Sequence, residues 1–207
     1  KELSIELEGL KLNPNKLSKF RILWNLKQFL LTGNYSGFQY SNFFLEKLFN
    51  QASISEEDKL TLISTYPLLP HNTFKDQWSV FYYIDATTKQ IFDEYRGFKN
   101  ISTKYRKQIL NRERKNYDNS KMIFCFSKWA KNSLINDYMI SSNKIKVLPA
   151  GANINSRYLV NFRNNKIPKI PSKLNPLRIG FLGQDWSRKG GKIVFDIVKI
   201  LNSKSIP

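Results

Sequence analysis

Four short apolar runs, each bounded by turn-forming or capping residues, constrain this chain most. They are residues 61–65, 79–84, 122–126 and 145–148, rich in β-branched and aromatic side chains. Between them the spacing changes to helical. Leu17, Phe20, Leu23, Trp24, Leu26 and Phe29 predict a helix over 16–31 ended by Gly33, and further helices are predicted over about 38–50, from Ile91 to Tyr95, over 104–115 and over 128–138. Strands alternating with helices favour a parallel sheet covered by helices, because parallel neighbours need a crossover connection. A fifth run, 177–183, predicts another strand, followed from Lys192 by Ile193, Val194, Ile197, Val198 and Leu201 on one face of a helix. Residues 160–176 hold Pro168, Pro171 and Pro176 among lysines and asparagines and read as a linker. The expected organisation is therefore a domain over 1–159, a linker over 160–176, and the first strand and helix of a second domain over 177–207.

Whole function classes fall away on composition. A single Cys125 forms no internal disulfide, and the lone His71 builds no multi-histidine zinc centre. No apolar run approaches the roughly 20 residues of a membrane span. The chain opens on Lys1 with no secretory pattern, so a cytoplasmic protein whose start is missing is the expectation. Lys+Arg number 34 against 16 Asp+Glu, a formal net charge of +18. Such an excess attracts nucleic acid, an anionic leaflet or a phosphorylated ligand, or reflects lysines merely solvated on helix faces. The densest basic stretch, 104–115, has the spacing of an amphipathic helix with a wet face, and no zinc-finger or RNP-like pattern accompanies it, which disfavours nucleic acid. The stripe on 16–31 reads as core, with peripheral contact to a membrane surface as the alternative for a basic helix bearing Trp and Phe.

The segment Gly183-Gln184-Asp185-Trp186-Ser187-Arg188-Lys189-Gly190-Gly191 lies between an apolar run and a helix. Phosphates bind at such places, where unpaired helix N–H groups and close backbone approach favour an anion. It is not a Walker A loop, since Trp186 and Ile193 stand where that motif needs Gly and Ser or Thr. A tight turn between elements is the competing reading. Asp85 and Ser127 end apolar runs, where open α/β sheets present residues to ligands; each is also suited to cap the helix that follows. Tyr82, Tyr83 and Trp129 read as packing residues.

Taken in order, Ile123-Phe124-Cys125-Phe126-Ser127-Lys128-Trp129-Ala130, Asp137-Tyr138, Lys144-Ile145-Lys146-Val147-Leu148-Pro149-Ala150-Gly151-Ala152-Asn153, Leu177-Arg178-Ile179-Gly180-Phe181-Leu182-Gly183 and Arg188-Lys189-Gly190-Gly191 resemble the middle of family 4 glycosyltransferases. Tyr82-Tyr83-Ile84-Asp85-Ala86-Thr87 is similar to that family's acceptor domain, so the resemblance spans about 79–207 and is loose before it. It implies a GT-B architecture of two Rossmann-like domains, both incomplete here. It further implies sugar transfer from a nucleotide-diphosphate donor to a saccharide or lipid-linked acceptor, with retention of configuration and no obligatory metal or other cofactor. By the same resemblance, Gly183, Gln184, Arg188, Lys189 and Gly190 contact the donor diphosphate, with Lys189 on the family's phosphate-contacting lysine. Gln184 departs from the usual arginine, and Met139 from the glycine that commonly follows the preceding helix. Asp85, Ser127, Gly151 and Asn153 are expected to line the acceptor cleft, and His71 is the candidate for positioning an acceptor hydroxyl. The pair of glutamates that holds sugar and ribose in such enzymes is expected beyond residue 207, so the 207 residues alone are expected to be inactive. A non-catalytic basic α/β protein binding nucleic acid or an anionic membrane is the rival reading.

Overall fold

The computed structural model describes residues 8–33, 35–54, 59–70, 78–95, 100–151, 171–174 and 176–206. The chain forms two compact units, Lys1–Gly151 and Ala152–Pro207. His71, Asn153 and most of the expected linker lie outside the described residues.

The first unit is built on a four-stranded, all-parallel sheet in the order β1 (Thr61–Ser64), β2 (Ser79–Ile84), β3 (Met122–Cys125) and β4 (Ile145–Val147). All four predicted strands form, within a residue or two at their ends. Helices α1 (Ser18–Thr32), α2 (Asn42–Phe49), α3 (Thr88–Glu94), α4 (Thr103–Asn119) and α5 (Lys128–Asn136) complete it. The register pairs Tyr82 with Ile123 and Ile84 with Cys125, and Ile123 with Ile145. Alternation then puts Val80, Tyr82, Ile84, Ile123, Cys125 and Ile145 on one face, buried against Tyr117 of α4, Ala130 and Leu134 of α5, and Tyr138 and Ile140. A second apolar cluster joins Leu17, Phe38, Leu45 and Leu48 to Leu68, Phe92 and Ile109.

Three local expectations need correction. The apolar stripe expected over 16–31 enters the core only in part: Leu17 is buried and half-buried Trp24 packs against Phe38 and Tyr105 at 5.9 Å between ring centroids, while Leu23 (68% exposed), Leu26 (55%) and Phe29 (53%) face outward together with Ile22 (72%) and Leu30 (76%). Periodicity marks a stripe but not the direction in which a helix turns it. Trp129 is about half exposed rather than packed, because it stands in the first turn of α5 at the rim of the sheet. In the second unit the run 177–183 forms no strand and pairs with none among the described residues, leaving Leu177, Ile179 and Leu182 exposed. A strand needs a ladder partner to satisfy its backbone, and apolar composition alone supplies none. The first strand expected of a second domain is therefore not present among the described residues. The helix that follows, α6 (Gly191–Ser203), forms as the spacing requires. No helix among the described residues is long and apolar enough to cross a membrane.

Candidate functional site

Parallel pairing puts the carboxyl ends of all four strands on one edge, and two expected site residues meet there. Ile84 pairs with Cys125, and the Phe126 amide donates to the Ile84 carbonyl at 2.9 Å. Asp85 therefore lies beside the turn that leads through Ser127 into α5. Ser127 caps α5, accepting from the Ala130 amide at 3.3 Å. Asp85 caps nothing. That task belongs to Thr87, whose Oγ1 accepts from the Gln90 amide at 3.3 Å while Gln90 Oε1 accepts from the Thr87 amide at 3.0 Å. Asp85 is thus an exposed carboxylate at a strand end, with no hydrogen bond or ion pair among the described residues. Gly151 is exposed on the connection after β4. A Cβ there would meet nothing within 4 Å, so sterics place no demand for glycine at 151.

Sequence reasoning missed the most elaborate polar cluster of this unit, which closes the start of α3. Glu113, fully buried on α4, accepts from the Thr88 amide at 3.0 Å and from the Tyr117 hydroxyl at 2.8 Å, while the Tyr138 hydroxyl donates to its other oxygen. Tyr138 Oη in turn accepts from the Lys89 amide at 3.0 Å. Together with the Gln90 amide on Thr87 and the Ile91 amide on the Thr87 carbonyl at 3.0 Å, every amide of the first turn of α3 is satisfied. A protein carboxylate already sits where a ligand anion could bind. Burial raises the pKa of Glu113, and its hydrogen bonds pull against that rise. The available signal was that Glu113 is the one acidic residue in 104–115, four residues from Ile109 and from Tyr117 on the buried stripe. Burial likewise pushes the Cys125 thiol up to about 11, which keeps it in the thiol form near neutrality.

Internal use of the basic helix is now visible. Arg112 donates to the Tyr40 carbonyl at 2.8 Å, Arg106 donates to the Ile101 carbonyl at 3.1 Å and stacks on Phe92, and Arg114 lies 3.7 Å from Asp118. The arginines of α4 are thereby spent on the protein itself, leaving Lys104, Lys107 and Lys115 on the wet face.

In the second unit, residues 183–191 form a turn with its own internal order. The amides of Arg188, Lys189, Gly190 and Gly191 donate to Asp185 Oδ1 (2.9 Å) and to the carbonyls of Asp185 (2.9 Å), Ser187 (3.3 Å) and Trp186 (2.8 Å). Gly190 occupies the left-handed region at φ 78°, and a Cβ on Gly191 would come within 2.2 Å of the Trp186 ring. The turn itself thus requires both glycines. The Arg188 guanidinium lies 3.6 Å from Asp185 and Lys192 pairs with Asp196 at 2.9 Å, whereas Lys189 has no ion pair among the described residues. The amides of Lys192 and Ile193 have no acceptor there either, and no side chain caps α6. Lys189 and those two amides are what the turn can offer an anion. A Cβ on Gly183 would come within 3.0 Å of the Lys189 Cβ, and Gln184 is exposed. An open apolar groove of about 350 Å³, lined by Leu177, Ile179, Val198 and Leu201, lies toward the other end of α6.

No family model, curated protein or solved structure matches this chain.

Proposed function

We propose that the chain contributes to a retaining glycosyltransferase of GT-B type, with the turn before α6 holding the diphosphate of a nucleotide-sugar donor and the strand-end edge of the first unit serving the acceptor. The observation that carries this reading is Lys189, which has no acidic partner among the described residues, next to two amides at the start of α6 that lack acceptors there. In sugar transfer from a nucleoside diphosphate, negative charge accumulates on the leaving diphosphate as the glycosidic bond breaks. An ammonium and helix amides directed at it stabilise that charge more in the transition state than in the bound donor. A charge-assisted hydrogen bond contributes about 1.5–3 kcal/mol, equivalent to roughly ten- to a hundredfold in rate when expressed fully in the transition state. Gln184 adds no charge, and Arg188 is partly neutralised by Asp185, so Lys189 carries most of this role. In this reading Asp85, Ser127 and Gly151, near the carboxyl ends of the strands, serve to position an acceptor hydroxyl.

The test is titration of the 207-residue chain with UDP, GDP, their sugar conjugates and inorganic pyrophosphate, followed by amide chemical shifts, which register even millimolar binding. Shifts are expected at Lys192 and Ile193, and Lys189→Ala should weaken them at least about tenfold. Shifts elsewhere, or an unchanged titration of the Lys189→Ala protein, would overturn the assignment.

A further inference from the structure

Helix α1 is mounted with its apolar side outward. At about 100° per residue, Ile22, Leu23, Leu26, Phe29 and Leu30 fall within an arc of roughly 120°, and all five are more than half exposed. The inward side carries Trp24 with two polar residues, Asn25 and Gln28, all half-buried, and the Asn25 Oδ1 is buried with no hydrogen-bond partner among the described residues. A helix selected to fill a core is arranged the other way round, with leucines inward and amides in water. Exposed Phe20 and Phe43, in edge contact at 5.3 Å, and Tyr35, which meets Phe29 at 6.4 Å, enlarge the apolar area. A contiguous surface of this kind marks a site of association.

Charge distinguishes among occupants. Between Glu8 and Glu46 the chain has no acidic residue, although it carries 16 in all, and the same stretch holds Lys11, Lys16, Lys19, Arg21 and Lys27. Lys19 stands within the N-terminal end of the stripe, its ammonium 5.3 Å from the Phe20 ring, and Lys27 borders it beside Leu23. Long cationic side chains at the margin of an apolar stripe can lay their methylenes on it and extend their charge to an anionic plane. An acid-free, lysine-bordered leucine and phenylalanine face is complementary to a negatively charged lipid surface. Nothing in it supplies the alternating charges by which a protein partner or a second copy would be paired.

From this arrangement we infer that α1 docks the protein onto an anionic lipid surface, lying in the plane of the interface with Ile22, Leu23, Leu26, Phe29 and Leu30 in the acyl region and Lys16, Lys19 and Lys27 among the headgroups. The inference is independent of the proposed transferase activity, since it concerns another unit of the chain and its test contains no nucleotide. The experiment is flotation of the full 207-residue protein with vesicles of phosphatidylcholine alone and of phosphatidylcholine with about a third phosphatidylglycerol. The wild type is expected to float with the anionic vesicles at least about tenfold better than with the neutral ones, and less well as salt rises. A triple variant, Leu23→Ser, Leu26→Ser and Leu30→Ser, should lose at least about tenfold in partitioning while keeping its circular dichroism, because none of these side chains supports the core. Lys16→Gln, Lys19→Gln and Lys27→Gln together should remove the preference for anionic vesicles. Equal flotation of the leucine variant and the wild type would overturn the inference. So would a wild type that ignores vesicles, or one that buries this face in a dimer abolished by the same leucine changes.

Discussion

Glu113 is the residue on which the first unit's polar chemistry turns. Burial raises its folded-state pKa above the ordinary carboxylate value that the unfolded chain has, so the native protein takes up the proton more readily than the unfolded one. Its contribution to stability is therefore fully present below the ordinary carboxylate range and is lost as pH rises through the raised folded value. Glu113→Gln keeps an oxygen for the Thr88 amide and the Tyr117 hydroxyl and removes the ionisation. The urea midpoint of the wild type relative to that of the glutamine variant, measured from about pH 4 to about pH 8, should fall as pH rises; a difference that does not change with pH would refute the assignment. Glu113→Ala, by contrast, strands the Thr88 amide and two tyrosine hydroxyls and should cost at least about 3 kcal/mol at any pH. Little of this was visible in the sequence beyond the odd acid in a basic helix with Tyr117 four residues on, because the other partners, Thr88 at the start of α3 and Tyr138 just after α5, are 25 residues away on either side. Asp85 shows the opposite case. Its position at a strand end was legible, but only the geometry reveals that Thr87 took the cap and left the carboxylate bare.

Among the elements, those that the sequence encodes locally are the ones that formed as expected. Ser79-Val80-Phe81-Tyr82-Tyr83-Ile84 is a strand on composition and becomes β2 with those ends. Ser127 caps α5, and Gly33 closes α1 at φ 69° with its amide on the Phe29 carbonyl at 2.8 Å. What failed required information from elsewhere in the chain: a partner for residues 177–183, and the direction in which α1 turns its stripe. The end of α5 lies between these cases. Met139 replaces the glycine that the resemblance leads one to expect, yet the turn survives, with Met139 itself at φ 58° and the Ile140 amide reaching back to the Leu134 carbonyl at 3.0 Å. A left-handed non-glycine residue costs about 1–2 kcal/mol, while glycine loses roughly 0.5–1 kcal/mol more backbone entropy on folding. Met139→Gly, at an exposed site, should therefore stabilise the first unit by up to about 1 kcal/mol, seen as a higher denaturant midpoint at unchanged slope. A lower midpoint would mean that the methionine side chain contributes more than its exposure suggests.

At the scale of the molecule, both apolar clusters are drawn from residues of the first unit, between Leu17 and Ile145. In the second unit the one buried residue of α6 is Gly191, and the run before it is exposed. A chain ending at Gly151 should consequently unfold cooperatively with a midpoint within a few degrees of the 207-residue protein, whereas residues 152–207 alone should show no cooperative transition. Calorimetry of the two pieces decides the point, and a large loss in the longer piece would sink it. Such a division of labour places stability and association on separate surfaces of the same chain. Mutational surveys scored by expression or heat resistance would accordingly pass serine or glutamine at Leu26 and Leu30 as silent while rejecting them at Ile109. Only an assay that offers the protein somewhere to settle would reveal what those leucines are kept for.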